Sequence, residues 1–123
     1  HSIHWEFEGT FVAANVKPTD VEPLVAAAPV QVLDDEWADY VVYLRHSNSL
    51  VEKTYQLEKA GGFAGAGTPE GKEFAEERLA AGAIELRDMI YTAWLRSADP
   101  VEAFHGAVVA PNKGAEAQVA TGN

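Results

Sequence analysis

Apolar residues recur with helical spacing in the second half of the chain and predict one long helix over residues 68–97. Thr68 suits the N-cap, and Pro69 suits the first helical position, where a missing N–H costs nothing. One stripe along this helix carries only apolar residues and glycine, and we predict that it packs on the core. Its members are Ala75, Leu79, Gly82, Ala83, Leu86, Met89, Ile90, Ala93 and Trp94.

A second apolar set lies on nearly the opposite side of the same helix, at Ile84, Tyr91 and Leu95. A helix that is apolar on two sides must be covered on two sides, by its own domain or by a neighbouring subunit. We therefore predict a protein–protein interface at Ile84, Tyr91 and Leu95, together with Phe63 from the loop before the helix.

Strict alternation of apolar and polar residues over residues 3–12 predicts a half-buried β-strand. The apolar face of this strand would carry Ile3, Trp5, Phe7 and Phe11. Residues 13–22 contain turn chemistry and are predicted as a loop. The remaining short segments are a helical turn at 23–28 and apolar runs that favour strands at 30–33 and 107–110.

Residues 35–45 fit two structures. As a helix from about Asp35, the segment would align Trp37, Tyr40, Val41 and Leu44 on one face. As a strand, residues 40–45 are rich in β-branched and aromatic side chains. Pattern alone does not separate the two, and we favour an acidic turn leading into a strand.

Ser49 and Glu52 have capping-box spacing, which predicts a shorter helix over residues 49–59. Four glycines within residues 61–67 predict a flexible loop. Together these elements predict an α+β fold, a small antiparallel sheet packed against one long helix and one shorter helix. Residues 1–111 would form the single domain, and residues 112–123 a mobile C-terminal tail.

Composition and charge narrow the class of protein. Apolar residues make up 47% and charged residues 23%, as in soluble globular chains, and no apolar run is long enough for a membrane span. The formal net charge of −10 repels phosphate backbones and disfavours direct nucleic-acid binding. The absence of cysteine excludes disulfides and thiolate chemistry. With no secretory signal at the first residues, we expect a cytoplasmic protein.

No residue pattern matches a catalytic, cofactor-binding or metal-binding motif. The glycine-rich loop lacks the phosphate-binding signatures, and glutamates at the start of the next helix would repel phosphate. The four histidines lack the spacing of a helical zinc site. The acidic residues Asp34, Asp35, Glu36 and Asp39 do not follow the calcium-loop pattern. We therefore predict no enzyme activity, no cofactor and no catalytic or metal-ligating residues.

Two stretches of the chain are similar to segments of one protein family. Residues 37–45, Trp-Ala-Asp-Tyr-Val-Val-Tyr-Leu-Arg, resemble the Tyr-Ala-x-Tyr-Val-rich segment of tailed-phage head–tail joining or tail-completion proteins. Residues 72–79, Lys-Glu-Phe-Ala-Glu-Glu-Arg-Leu, resemble the opening of the C-terminal helix in that family. The resemblance covers about half of the chain. It implies a ring-forming virion subunit with an α+β fold and no catalytic residues, located in the host cytoplasm or the virion.

Two hypotheses for function follow. The first is a structural or interaction subunit that forms homo-oligomers or binds other protein subunits, such as a phage neck or tail component. It depends on the two-sided helix and on the lack of catalytic motifs. The alternative is a small dimeric α+β ligand-binding domain or enzyme, with an apolar pocket between sheet and helix.

Overall fold

The computed structural model of the protein describes residues 2–99, and every regular element within this range is helical. Helix α1 begins with π-helical turns, Trp5–Val12, and continues as a short α-helical segment, Ala13–Asn15. The later helices are α2, Pro18–Ala27; α3, Glu36–Ser49; α4, Val51–Lys59; and α5, Pro69–Arg96.

The predicted α+β fold is therefore wrong for residues 2–99, because no strand occurs in that range. The same finding removes the pocket between sheet and helix on which the alternative hypothesis depended. The strand predicted at 107–110 and the tail predicted at 112–123 lie outside the described residues.

Residues 3–12 form a helix because their apolar residues satisfy two periods at once. Ile3, Phe7 and Phe11 are spaced by four residues, which places them on one face of a helix as well as on one face of a strand. Phe7 and Phe11 both contact Phe63, with ring centroids 4.6 and 5.4 Å away. Trp5, the residue that fits only the strand pattern, is exposed. Packing against Phe63 thus overrides the alternation.

The two central strand predictions are also wrong. Residues 30–33 belong to an irregular segment between α2 and α3, and residues 40–45 lie inside α3. Asp35 is the N-cap of α3, and its carboxylate accepts a hydrogen bond from the Ala38 N–H at 2.9 Å. Glu36 and Asp39 follow in the first turn, where the helix dipole favours acids. These end signals, rather than the β-branched residues, decide the structure.

Helix α4 occurs where it was predicted, but it begins differently. Ser49 is the last residue of α3, where its hydroxyl donates a hydrogen bond to the His46 carbonyl at 2.6 Å, whereas Leu50 is the N-cap of α4. The predicted loop at 13–22 is wrong except at residues 16 and 17, because α1 continues to Asn15 and α2 already begins at Pro18. There the Lys17 N–H donates to the Asp20 carboxylate at 3.1 Å.

The glycine-rich loop at 61–67 separates α4 from α5 as predicted, and its first residues are packed. Gly62 and Phe63 are buried, and the Gly62 carbonyl accepts a hydrogen bond from the Thr68 N–H at 3.2 Å. The Asn15 side-chain amide donates to the Gly65 carbonyl at 2.9 Å, which links α1 to the loop. The flexibility predicted for residues 61–67 stays a prediction.

The long helix is confirmed almost residue for residue as α5, with Thr68 as N-cap. The Thr68 hydroxyl accepts a hydrogen bond from the Gly71 N–H at 3.1 Å. The buried core lies at the N-terminal half of α5, where α1, α4 and the glycine-rich loop meet it. It consists of Phe11, Leu57, Phe63, Phe74 and Ala75.

Candidate interaction surface

The stripe of α5 that was predicted to pack on the core is mostly exposed, and that prediction is wrong beyond Ala75. Ala75 is fully buried, but Leu86 is 59%, Ile90 60% and Trp94 68% exposed. Leu79 is exposed as well. The side of the helix that the sequence pattern identifies as apolar is therefore exposed to solvent.

Polar side chains of α5 explain which side is covered instead. The Arg87 guanidinium donates to the carbonyls of Val25, Ala28 and Pro29 at 3.1, 3.0 and 3.1 Å. These carbonyls lie at the C-terminal end of α2, where a cation is favoured by the helix dipole. Arg87 also donates to the Asp88 carboxylate at 2.8 Å. One arginine thus fixes the end of α2 against the flank of α5.

The irregular segment after α2 is held along α5 in the same way. The Leu33 N–H donates to the Thr92 hydroxyl at 2.9 Å, and both residues are buried. Arg96 donates to the carbonyls of Leu33 and Asp34 at 2.6 and 3.0 Å and to the Glu36 carboxylate at 2.7 Å. Because these bonds come from the polar flank of α5, residues 25–36 are anchored there, and within the described residues the apolar stripe is left open.

We define the α5 stripe as the exposed apolar residues that run along α5 from Leu79 to Trp94. From Leu79 to Ala93, successive members are separated by four, three, four and three residues, the spacing with which two α-helices pack side by side, and Trp94 follows Ala93 directly. The stripe contains no charged residue. Its members are Leu79, Ala83, Leu86, Ile90, Ala93 and Trp94.

The four residues predicted as an interface are not brought together. Phe63 is 2% exposed and belongs to the core, so it is not available at the surface. Ile84 is half-buried in a cleft beside Leu33 and Glu85. Tyr91 and Leu95 are exposed. On α5, therefore, both apolar sides of the helix have exposed residues, and Tyr91 and Leu95 stay a predicted interface.

The described chain leaves much apolar surface uncovered. Within residues 2–99, seven hydrophobic residues are buried, whereas fifteen large hydrophobic residues are exposed. Single exposed apolar residues are ordinary in monomers, but contiguous apolar patches mark interaction sites. The stripe on α5 is such a patch, since its members follow one another along a single helix face.

The ionisable groups of the described range form no metal-binding cluster. Within residues 2–99, no group of three or more His, Asp or Glu side chains is placed to hold a metal ion. Burial, with the nearby carboxylates of Asp39 and Asp88, raises the pKa of Glu85. Glu85 Oε1 is buried without a hydrogen-bond partner. A desolvated carboxylate of this kind weakens the fold when it is ionised.

Of the acidic residues and histidines singled out in the sequence, Asp35, Glu36 and His4 have side-chain partners in the described range. Asp35 caps α3, and Glu36 pairs with Arg96. His4 lies 3.5 Å from Glu8 one helical turn away, and both are exposed. No helix within residues 2–99 combines the length and apolar character needed to cross a membrane.

Comparison with known proteins finds no relative. No protein-family model matches the chain, and neither a curated protein nor a solved structure is significantly similar to it.

Proposed function

We propose that the protein is a structural subunit that completes its packing by association with further copies of itself. The observation that carries the proposal is the α5 stripe, an uninterrupted apolar seam on a helix of 28 residues. Covering a Leu or Ile side chain that is exposed in the single chain contributes roughly 1.5–3 kcal/mol on full burial. Several such side chains on one seam are a substantial driving force for association.

The spacing of the stripe supports another α-helix as its partner. Knobs-into-holes packing requires apolar residues about every 3.5 positions, and the stripe has this repeat from Leu79 to Ala93. In an antiparallel pair, Leu86 of one copy can face Ile90 of a second copy, and Ala83 can face Ala93. The same surface then serves both copies, as two-fold symmetry requires.

Charge supports the antiparallel arrangement of two identical chains. The first turns of α5 carry Glu70, Glu73, Glu76 and Glu77. A parallel pair would bring these glutamates of both copies together, whereas an antiparallel pair holds them at opposite ends of the contact. Because the stripe itself is uncharged, a second copy can cover it without burying an unpaired charge.

The narrower hypothesis, a phage head–tail joining protein, stays a prediction. It depends only on the resemblance of residues 37–45 and 72–79, and the α+β fold which that resemblance implies is not the fold of the described residues.

The proposal is tested by sedimentation of the chain over a range of concentrations, with Leu86→Glu/Ile90→Glu as the disrupting variant. We expect the unaltered chain to associate and the double variant to stay monomeric with the same circular dichroism. Val32→Glu/Val42→Glu is the matched control, because it places the same charges on exposed valines outside α5. A monomeric unaltered chain, or equal loss of association in the control, would overturn the proposal.

The orientation can be tested separately because the chain has no cysteine. In an antiparallel pair, Leu86→Cys/Ile90→Cys should form disulfides between copies, while each single cysteine variant should form few. In a parallel pair, each single variant would be cross-linked efficiently, since identical positions then face each other.

A further inference from the structure

A second feature lies away from the α5 stripe, in a cleft between α1 and α4 whose floor is α5. Its volume is about 320 Å³, at the lower end of the range of roughly 300–1,000 Å³ that small-molecule sites occupy. The surface of the cleft is mainly apolar, as is usual for such sites, although polar residues also border it. The residues that matter here are Phe7, Leu50, Val51, Tyr55, Phe74 and Arg78.

Arg78 is the unusual member of this lining. It is half-buried, and its Nε is enclosed without a hydrogen-bond partner. Within residues 2–99 it forms no ion pair, whereas the other half-buried cations of α5 each do so. Lys72 pairs with Asp20 at 3.2 Å, and Arg87 pairs with Asp88 at 2.8 Å. A partly desolvated guanidinium without an acceptor is unfavourable until an anion satisfies it.

The other ionisable groups of the cleft do not supply that anion. Glu8 and His4 line the cleft, but both are largely exposed and lie 3.5 Å from each other. Thr54 also lines it, and its hydroxyl donates to the Leu50 carbonyl at 2.9 Å. The cleft therefore combines an apolar wall with one cation that lacks a counter-charge.

We propose that this cleft binds a small amphipathic carboxylate, an unbranched acid of medium chain length. Its carboxylate would accept hydrogen bonds from the Arg78 guanidinium, whose planar donors match the geometry of a carboxylate. Its alkyl chain would lie against Phe7, Leu50 and Phe74, where each buried methylene contributes about 0.8 kcal/mol. Both halves of the ligand are needed, because the cleft joins a mainly apolar surface to one cation without a counter-charge.

The experiment titrates the full chain with octanoate, 1-octanol and acetate by calorimetry, and follows the Arg78 Nε–H signal by ¹H–¹⁵N NMR. We expect octanoate to bind at least about tenfold more tightly than octanol or acetate, and to shift the Nε–H signal. Arg78→Gln should lower the affinity for octanoate by about tenfold or more and leave the affinity for octanol unchanged.

Two control variants make the result specific. Arg45→Gln removes the same charge from an exposed position on α3 and should bind octanoate like the unaltered chain. Val51→Trp adds bulk at an exposed position of the lining and should block octanoate while Arg78 stays in place. Val51→Trp keeps the test decisive if Arg78→Gln fails to fold.

Three outcomes would overturn the proposal. These are no octanoate binding up to about 10 mM, equal affinity for octanoate and octanol, and unchanged affinity in Arg78→Gln. A further outcome is that octanoate does not bind but Arg78→Gln loses self-association. Arg78 would then pair with a carboxylate of a second copy, which would refute the small ligand and leave the proposed assembly intact.

Discussion

The buried hydroxyl of Thr92 accepts a hydrogen bond from the backbone N–H of Leu33 at 2.9 Å. Leu33 lies in the irregular segment between α2 and α3, where no helix or sheet provides a partner for its N–H. A buried donor must find an acceptor somewhere, and here a side chain of the long helix supplies it. This one bond couples the middle of the chain to α5.

Thr92→Val keeps the size of the side chain and removes that acceptor. We expect a loss of about 1–3 kcal/mol in the free energy of unfolding, because the Leu33 N–H is left buried and unpaired. Urea titration measures this loss. The control is Thr54→Val, which removes a hydroxyl bonded only to the Leu50 carbonyl, an acceptor that keeps its bond from the Thr54 N–H. Equal, small losses in both variants would show that Leu33 finds another acceptor.

Arg87→Met tests the junction between α5 and the end of α2. Methionine retains the apolar stem but removes the donor of the Ala28 and Pro29 carbonyls and the cation beside Asp88, whereas the Val25 carbonyl keeps its bond from the Ala28 N–H. We expect the free energy of unfolding to fall by about 2–3 kcal/mol, and amide exchange in the last turn of α2 to become faster. Arg45→Met, at an exposed arginine, should change stability by no more than about 0.5 kcal/mol. Unchanged exchange in α2 would show that Arg87 does not hold that helix.

Local signals in the sequence were sufficient for the long helix but not for the fold. Thr68, Pro69 and the apolar repeat define α5 through its own end and its own period. The strand predicted at residues 3–12 is wrong because apolar positions spaced by four fit a helix as well as a strand. The contact with Phe63, which decides between the two, is distant in sequence.

The exposed face of α5 could not be read from the pattern for a different reason. Apolar periodicity shows that a helix has two apolar sides. It does not show which of the two sides is covered by other segments of the same chain. That choice is made by Arg87, Thr92 and Arg96, whose bonds go to backbone groups of residues 25–34. Backbone acceptors have no sequence signature, so polar side chains that anchor a segment look like ordinary surface residues.

Two glycines of α5 should respond in opposite ways to the same substitution. A Cβ at Gly71 would collide with the Gly62 carbonyl, so Gly71→Ala should destabilise by about 1–3 kcal/mol despite the higher helix propensity of alanine. A Cβ at Gly82 would meet only the Tyr43 hydroxyl, at 3.4 Å, so Gly82→Ala should stabilise by about 0.5–1 kcal/mol. Thermal unfolding compares the two. A higher melting temperature in both variants would show that the Gly62 carbonyl is not in close contact with α5.

The raised pKa of Glu85 predicts a pH-dependent stability. Burial is the main cause, followed by the carboxylates of Asp39 and Asp88. The folded protein binds this proton more tightly than the unfolded chain, so stability falls as pH rises from the ordinary pKa of 4.5 through the folded value.

Glu85→Gln should therefore raise the melting temperature at about pH 7 and change it little at about pH 4, where the glutamate is already protonated. Glu77→Gln removes one charge from an exposed position of the same helix and serves as control. An equal rise of the melting temperature at pH 7 in both variants would show that the overall negative charge, and not Glu85, is responsible.

A comparison of Leu86 with Phe74 tests whether the exposed stripe is open in a single chain. Phe74 is 3% exposed and lies in the core, so Phe74→Ala should cost about 3–5 kcal/mol at any protein concentration. Leu86 lies three turns further along α5 and is exposed, so Leu86→Ala should cost less than about 1 kcal/mol in the dilute monomer.

At concentrations where copies associate, the cost of Leu86→Ala should grow, because the side chain is then covered by a second copy. Urea titration at two concentrations separates these cases. A cost of about 2–5 kcal/mol in the dilute monomer would show that the stripe is covered within one chain, and the proposed association through α5 would lose its basis.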